Sequence, residues 1–156
     1  MVEGEELRAL MRRVPTAVVV VTAEVDGRRY GITVGSLVSL SLDPPLVGMS
    51  ISRETSLNLL LKDADVFAVS LLRGDQDGIA QHFSRSVPPL VLWNGIPLRE
   101  ADGPPQIDGA LGWLRCRRTE QLEVGTHTFF VSEVLSVEPG RDAAALLYAH
   151  RRYFAL

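Results

Sequence analysis

One predicted hairpin near the start of the chain constrains the fold more than any other feature. The segment from Thr16 to Val25 is dense in β-branched residues, and Arg28 to Val34 resumes a strand pattern after the dipeptide Asp26-Gly27. Aspartate followed by glycine is typical of the two-residue turn that joins neighbouring antiparallel strands. We therefore predict a β-hairpin over residues 16–34 and an antiparallel arrangement at the start of the fold.

Five further segments carry strand patterns. Val38–Leu42 alternates strictly with its hydroxyl groups on one face, and the prolines that follow Asp43 end it, because proline cannot donate to a strand ladder. The other predicted strands are Leu46–Ser52, Val66–Leu72, Leu111–Val124 and His127–Val137, the last two joined around Gly125 as a second hairpin. Six or seven strands at short spacing favour a closed or nearly closed antiparallel barrel.

Short helices are predicted between the strands. Glu3–Val14 has an apolar stripe, Thr55–Lys62 begins with Thr55 or Ser56 as its N-cap, and Gln76–Phe83 is a third short helix. The stripe consists of Leu7, Leu10, Met11 and Val14. Helices and strands do not alternate regularly, so the pattern does not favour a Rossmann-type sheet.

The remaining segments set the domain organisation. The proline-rich segment Ser84–Pro105 is a stiff excursion that must bury apolar side chains such as Leu92 and Trp93, and Ala143–Leu156 is too weakly patterned for an assignment. A chain of 156 residues matches one domain. We therefore predict a single, mainly β domain spanning residues 1–156, in which any two ligands share one groove.

Charge and composition exclude several classes of protein. The formal net charge is −3 with both signs interspersed, which disfavours a nucleic-acid partner. The longest aliphatic run, Ala17 to Val21, is far shorter than the ~20 residues of a membrane helix. A lone cysteine, Cys116, suits the cytoplasm and is expected to be buried and inert. The three histidines show no metal-ligand spacing, so no metal site is predicted.

Small hydroxyl residues and glycine cluster at two nearby strand ends. The cluster comprises Thr33, Val34, Gly35, Ser36, Ser50, Ser52, Arg53, Thr55 and Ser56. A helix that begins near Thr55 would present free N–H groups and the positive end of its dipole, so this region is a candidate phosphate cradle. The alternative is that these hydroxyl groups merely face water and cap a helix.

Five segments in order resemble the flavin reductase-like, FMN-binding split-barrel family. They are Gly31–Val47, Phe67–Leu72, Gln81–Ser84, His127–Val134 and Leu146–Tyr153. The first includes G-I-T-V-G-S and ends in D-P-P-L-V, and the fourth reads H-T-F-F-V-S-E-V. The similarity extends over roughly residues 14–156, nearly the whole chain.

The resemblance implies a fold and an activity. The implied fold is a six-stranded antiparallel Greek-key split barrel, usually a homodimer with flavin in a groove near the subunit interface. The implied activity is hydride transfer from NADH or NADPH to FMN, with FAD possible, and supply of reduced flavin to a separate monooxygenase.

The resemblance also assigns roles to residues of this chain. Thr33, Gly35 and Ser36, with Val34 between them, would hold the ribityl chain and ring edge. The phosphate would be held by Ser50, Ser52, Arg53, Thr55 and Ser56. Phe83 would lie near the ring, His127 would be the catalytic residue beside the nicotinamide, and Tyr153 would help to close the site.

Four positions depart from the family pattern and leave alternative functions open. Gly35 stands where serine is more frequent, Thr126 replaces an aspartate before His127, Ser132 replaces a glycine, and Arg151 or Arg152 fills another glycine position. A flavin-binding or electron-transfer protein that uses no nicotinamide is therefore one alternative. A split-barrel protein that binds another phosphate-bearing ligand, such as pyridoxal phosphate, is a second.

Overall fold

The computed structural model describes residues 1–156 and contains ten strands and four helices. The helices are α1 (Gly4–Met11), α2 (Ser56–Asp63), α3 (Asp77–Phe83) and α4 (Pro89–Leu92). The strands are β1 (Thr16–Ala17), β2 (Val19–Val25), β3 (Arg28–Val34), β4 (Val38–Leu42), β5 (Pro45–Ser52), β6 (Val66–Leu71), β7 (Gly112–Val124), β8 (His127–Pro139), β9 (Leu146–Ala149) and β10 (Arg152–Ala155).

Seven of the strands form one antiparallel sheet in the order β3-β2-β6-β7-β8-β5-β4. Both predicted hairpins, β2–β3 and β7–β8, are present in this sheet. The sheet has one strand more than the six that the family resemblance implies. The mainly β, antiparallel fold with few short helices is confirmed.

The two edge strands of the sheet, β3 and β4, are consecutive in the chain, and this forces the sheet to curl. Only residues 35–37 separate Val34 from Val38, so the two edges are bridged by a link of at most about 14 Å. In a flat sheet the six intervening gaps would separate these edges by about 29 Å. The sheet must therefore wrap around itself, which gives the split-barrel shape.

A second sheet, with strand order β1-β9-β10, was not predicted from the sequence. The weakly patterned tail forms the hairpin β9–β10, and β1 adds to it through the pairs Thr16↔Tyr148 and Ala17↔Leu147. The predicted strand Thr16–Val25 is divided at Val18, whose N–H donates to the carbonyl oxygen of Leu146 at 3.1 Å. The N-terminal segment thus belongs to both sheets.

The core has two parts, separated by β2. Val19 and Val21 pack inside the barrel with Met49, Phe67 and Phe130. Because strand residues alternate in direction, Val18 and Val20 face the other side, where they pack in a cluster with Leu72, Ala80, Phe83, Leu92, Ile107 and Leu146. The proline-rich excursion contributes Leu92 to this outer cluster, as expected.

The surface retains one conspicuous apolar feature. Helix α1 has no buried residue, and Leu7, Leu10 and Met11 are 59 %, 60 % and 53 % exposed. None of the helices combines the length and apolar character that crossing a bilayer requires. No three histidine, cysteine or acidic side chains converge in a way that could hold a metal ion.

Candidate functional site

Two adjoining cavities on one side of the barrel share Thr33, Ser84 and Arg85. The first, which we call the α2 cavity, has a volume of about 680 Å³ and extends from the shared residues to the start of α2. The second, which we call the tail cavity, has a volume of about 720 Å³ and extends to the β9–β10 hairpin. Because they share three residues, the two cavities form one groove.

The start of α2 supplies hydrogen-bond donors to the α2 cavity. Thr55 caps the helix: its hydroxyl accepts from the N–H of Asn58 at 3.2 Å and donates to the carbonyl oxygen of Ser52 at 2.9 Å. The N–H groups of Ser56 and Leu57, in the first turn, have no partner within the helix. With the positive end of the helix dipole, this arrangement suits a phosphate group.

Ser52, Thr55 and Ser56 all line the α2 cavity, as the predicted cradle requires. Ser52 Oγ accepts from the N–H of Glu54 at 3.3 Å, which leaves its own hydroxyl proton free to donate. Glu54 is the single acidic side chain in this lining.

Arg53 lies in the predicted cradle segment, but its guanidinium group is held elsewhere. It donates to Glu123 Oε2 at 3.3 Å and to the carbonyl oxygen of Gly125, and the N–H of Arg53 donates to the carbonyl oxygen of Thr126 at 3.0 Å. Arg53 therefore ties the loop before α2 to the β7–β8 turn and does not line either cavity.

Glu123 holds together the side chains that join this loop to the β7–β8 turn. Its carboxylate accepts from the Thr128 hydroxyl at 3.0 Å and lies 3.4 Å from Lys62 Nζ and 3.3 Å from Arg53. The Thr128 hydrogen bond, followed by the nearby cations Lys62 and Arg53, lowers the pKa of Glu123 below its ordinary value. The β7–β8 turn is thereby fixed against the loop that carries Ser52.

Arg85 is the cationic side chain that sequence reasoning missed. It is exposed, makes no ion pair and lines both cavities. No sequence motif indicated Arg85, because the segment Gln81–Ser84 that resembles the family ends one residue before it. A guanidinium group at the junction of the cavities can pair with a phosphate held in either one.

The predicted residues at the end of β3 reach the site in different ways. Thr33 lines both cavities while its hydroxyl donates to the carbonyl oxygen of Ala80 at 2.7 Å, whereas Val34 is only 5 % exposed and packs into the core. Gly35 lines the tail cavity, and a Cβ there would stand 2.9 Å from Thr16 Oγ1. The glycine thus removes the crowding that serine would cause.

The Ser36 hydroxyl bonds to the backbone of Ser50 instead of facing the groove. The Ser36 hydroxyl donates to the carbonyl oxygen of Ser50 at 2.9 Å and accepts from its N–H at 3.0 Å. This double contact joins the β3–β4 loop to β5 and fixes the wall of the barrel. Neither serine lines a cavity.

Phe83 forms part of the floor of the α2 cavity. It is only 2 % exposed and packs edge-on against His82, with Trp93 tilted against its other side. A Cβ on Gly31 would stand 3.2 Å from both Phe83 and Trp93, so that glycine allows the aromatic pair to approach the sheet.

The tail cavity is bordered by aromatic and basic side chains. Tyr148 and Tyr153 lie with ring centroids 5.0 Å apart, and the Tyr153 hydroxyl is 3.4 Å from Ser84 Oγ. Arg151 and Arg152 line the same cavity as Arg85. Tyr153 therefore lines the same cavity as Thr33 and Gly35, two further residues to which the family resemblance assigns a role in the site.

The β9–β10 turn adopts an unusual backbone conformation. Ala149 pairs with Arg152, so His150 and Arg151 form a two-residue turn, with φ angles of 50° and 61°. Turns of this kind normally use asparagine and glycine, because left-handed backbone disfavours a Cβ. Arg151 therefore occupies a position that suits glycine.

His127 and Ser132 lie outside both cavities. His127 Nδ1 is 2.9 Å from the Thr126 hydroxyl, and His127 pairs with Ser52 across β5 and β8, so it flanks the edge of the α2 cavity. Ser132 is 1 % exposed, and its hydroxyl has no hydrogen-bond partner. The departure from glycine at Ser132 is thus an internal change in β8 and does not alter the groove.

The curled antiparallel sheet and its donor-lined groove define a ligand-binding split-barrel protein. The chain matches the family described as "Flavin reductase like domain" over residues 11–156, and it belongs to that family.

The similarity to relatives and to solved structures extends over almost the whole chain. The reductase component of FADH(2)-dependent resorcinol hydroxylase from Rhizobium sp. is 34 % identical over 155 residues, covering 97 % of this chain and 87 % of that protein. The reductase component of 4-hydroxyphenylacetate 3-monooxygenase from Thermus thermophilus is 34 % identical over 96 % of this chain and 94 % of its own. The structure of the NADH:FAD oxidoreductase from Streptomyces globisporus superposes with a TM-score of 0.91 at 30 % identity, covering 100 % of this chain and 96 % of that one.

Proposed function

We propose that this protein is an NAD(P)H-dependent flavin oxidoreductase that binds FMN. The observation that carries the proposal is the continuous groove, in which the donors at the start of α2 adjoin a second cavity through Thr33, Ser84 and Arg85. Family membership and relatives named as NADH:FMN oxidoreductases, 33 % identical over 96 % of this chain, support the same activity.

The residues present fit a flavin mononucleotide. The N–H groups at the start of α2, with Ser52, Thr55 and Ser56, provide donors for its phosphate, and Arg85 provides a positive charge. Phe83 and Thr33 border the adjoining space. Arg53 would act on this cradle indirectly, because its contacts with Glu123 and Gly125 hold the loop that carries Ser52.

The chain would contribute orientation and exclusion of water to the reaction. Bound flavin supplies a ring that accepts a hydride from the nicotinamide of NADH or NADPH. Thr33, which the two cavities share, and Gly35, which lines the tail cavity, would fix the relative position of the two ligands. Tyr148 and Tyr153 would shield one side of the groove from water.

His127 is proposed as a contact of the nicotinamide. It lies beside Ser52, across the β5–β8 pair, so a ligand that extends past Ser52 would meet its imidazole. The hydrogen-bonded distance of 2.9 Å to Thr126 would hold the ring in one orientation.

Reduced flavin would be passed to a separate monooxygenase. The relatives named as reductase components of monooxygenases support this assignment. We also propose that the protein is a single-domain homodimer, with the exposed stripe of α1 in the interface, and that it works in the cytoplasm, where a single buried thiol is typical.

Anaerobic turnover tests the activity. Purified protein is mixed with FMN and with NADH or NADPH, and donor oxidation and flavin bleaching are followed by absorbance. We expect saturable turnover with at least one donor and none when protein or flavin is omitted. Absence of turnover with both donors, in a sample shown by its spectrum to contain bound flavin, would contradict the proposal.

A further inference from the structure

The lining of the tail cavity carries an excess of positive charge. Arg85, Arg151 and Arg152 all border it, and none of them forms an ion pair or donates a side-chain hydrogen bond within the chain. The Arg152 guanidinium lies 5.2 Å from the centroid of the Phe154 ring, a contact that leaves its charge unneutralised. Asp77 is the single acidic residue in the lining. Six of the fifteen arginines of the chain pair with a carboxylate, so what distinguishes Arg85, Arg151 and Arg152 is their shared position around one cavity.

Three guanidinium groups around one cavity favour an anionic ligand. Arginine keeps its charge at all accessible pH values, so the three side chains repel one another in the absence of an anion. Guanidinium groups also match the geometry of phosphate oxygens and bind them with charge-assisted hydrogen bonds. The lining therefore has the chemistry of a phosphate site.

The backbone at Arg151 supports a role for its side chain. The φ angle of 61° at this position favours glycine, because a Cβ disfavours left-handed backbone. Arginine at such a position places a guanidinium group on the rim of the cavity at the expense of backbone strain. Strained residues of this kind concentrate at ligand sites.

The aromatic side chains indicate what accompanies the phosphate. Tyr148 and Tyr153 are half-buried and form a tilted pair along the cavity wall. Flat aromatic surfaces next to positive charge are suited to a heterocyclic base attached to a phosphate-bearing sugar.

We propose that the tail cavity recognises a phosphate of an adenine nucleotide, distinct from the phosphate held at α2, and that Arg151 and Arg152 make this contact. The inference rests on the proposed function, because the nucleotide would be part of a dinucleotide bound in the groove. Two sources carry such a phosphate: the 2′-phosphate of NADPH and the diphosphate of FAD.

Binding measurements on matched variants test the site without turnover. Arg151→Gly removes the charge and suits the left-handed backbone, Arg151→Lys keeps the charge, and Arg28→Ala removes an exposed charge outside both cavities. Calorimetry with adenosine 2′,5′-bisphosphate, 5′-AMP, FAD and FMN gives the four affinities for each protein.

We expect Arg151→Gly to weaken binding of at least one phosphate source by about tenfold or more, as loss of a charge-assisted contact does. A selective loss for adenosine 2′,5′-bisphosphate over 5′-AMP identifies the 2′-phosphate of NADPH. A selective loss for FAD over FMN identifies the diphosphate of FAD. Arg151→Lys should retain much of the affinity, and Arg28→Ala should behave like the unaltered protein.

The outcomes separate this inference from the proposed function. Unchanged affinities for all four ligands in Arg151→Gly would overturn the site, even if the protein reduces flavin. Arg151-dependent nucleotide binding in a protein that oxidises neither NADH nor NADPH would uphold the site and overturn the proposed activity.

Discussion

Arg85 and Arg53 differ in what their side chains contact, and this difference decides which of them can reach a bound phosphate. Arg85 has no partner in the chain and borders both cavities. Arg53 is held by Glu123 and by the carbonyl oxygen of Gly125. Sequence position alone placed Arg53 in the cradle, because it directly follows Ser52.

Arg85→Ala should weaken the binding of FMN more than the binding of riboflavin, because only FMN carries a phosphate. We expect a loss of roughly 1.5–3 kcal/mol in FMN binding, the usual value of a charge-assisted contact, and little change for riboflavin. Quenching of flavin fluorescence on titration gives both dissociation constants.

Arg53→Ala is the comparison for that experiment. Because Arg53 acts through the position of the β7–β8 turn, its loss should weaken FMN by a smaller factor than the loss of Arg85. Two results together would show that our assignment of Arg85 is wrong and that Arg53 is the cation of the cradle. They are a selective loss of FMN affinity in Arg53→Ala and an equal change in the affinities for FMN and riboflavin in Arg85→Ala.

Cys116 should be unreactive in the folded protein. It is fully buried, and burial raises the pKa of its thiol to about 12. A thiol without a thiolate fraction and without access to solvent reacts slowly with alkylating reagents. We expect alkylation at neutral pH only after unfolding in urea, which mass spectrometry detects. Rapid alkylation of the native protein would contradict the described burial.

The same pKa predicts a loss of stability in alkaline solution. The folded state holds the thiol proton more tightly than the unfolded chain, so the stabilisation is complete below the ordinary pKa of 9.0 and is lost as the pH rises toward about 12. Urea unfolding at increasing pH should show this decline in the unaltered protein. The contribution should be absent in Cys116→Ala, which has no thiol to titrate.

At the scale of elements, the β9–β10 turn is the clearest site for stabilisation. A left-handed conformation costs a non-glycine residue about 1–2 kcal/mol, which a glycine substitution would relieve. About 0.5–1 kcal/mol of that gain in stability is offset, because glycine also has greater conformational freedom in the unfolded chain. Arg151→Gly should therefore raise the free energy of unfolding by up to about 1 kcal/mol, measured by urea titration.

Arg152→Gly provides the matched control for the turn. Arg152 is the first residue of β10 and pairs with Ala149, so glycine there brings flexibility without relief of strain. We expect this variant to be less stable than the unaltered protein. Equal destabilisation by both variants would show that the φ angle at Arg151 carries no cost.

The turn also explains why the tail was not predicted as strands. A hairpin is recognised by residues such as Asn-Gly between alternating segments, and His150-Arg151 carries no such signal. By contrast, Asp26-Gly27 and Gly125 marked the two hairpins that were predicted correctly. Local sequence also gave no sign that Val18 divides β1 from β2, because that break arises from pairing with the distant Leu146.

The candidate site could be predicted in part, for a related reason. Ser52, Thr55 and Ser56 lie at a strand end and a helix start, which are local features, and they line the cavity. The hydroxyl of Ser36 turns to Ser50, fourteen positions away in sequence, and Arg85 enters from a different element. Contacts between distant segments decide such side-chain directions, and no short motif records them.

At the scale of the whole molecule, the apolar stripe of α1 predicts association. Leu7, Leu10 and Met11 are more than half exposed, and an amphipathic helix normally buries such a face. We expect Leu10→Lys to shift the protein from dimer toward monomer in analytical ultracentrifugation, with little effect on the stability of the barrel, because Leu10 contributes nothing to either core cluster.

Leu90→Lys is the control for association. Leu90 lies on α4 and is 91 % exposed, so the substitution adds the same charge at another exposed leucine. The proposed dimer should persist in this variant. If Leu10→Lys leaves the association state unchanged, the stripe of α1 is not the interface.

The three residues shared by the cavities have a thermodynamic consequence. Ligands that fill both cavities would meet at Thr33 and Arg85. The binding of one ligand would therefore change the free energy of binding of the other. Such coupling is reciprocal: the factor by which flavin alters the affinity for the dinucleotide equals the factor by which the dinucleotide alters the affinity for flavin. The supply of electron donor in the cell would thereby regulate how tightly the protein retains its flavin.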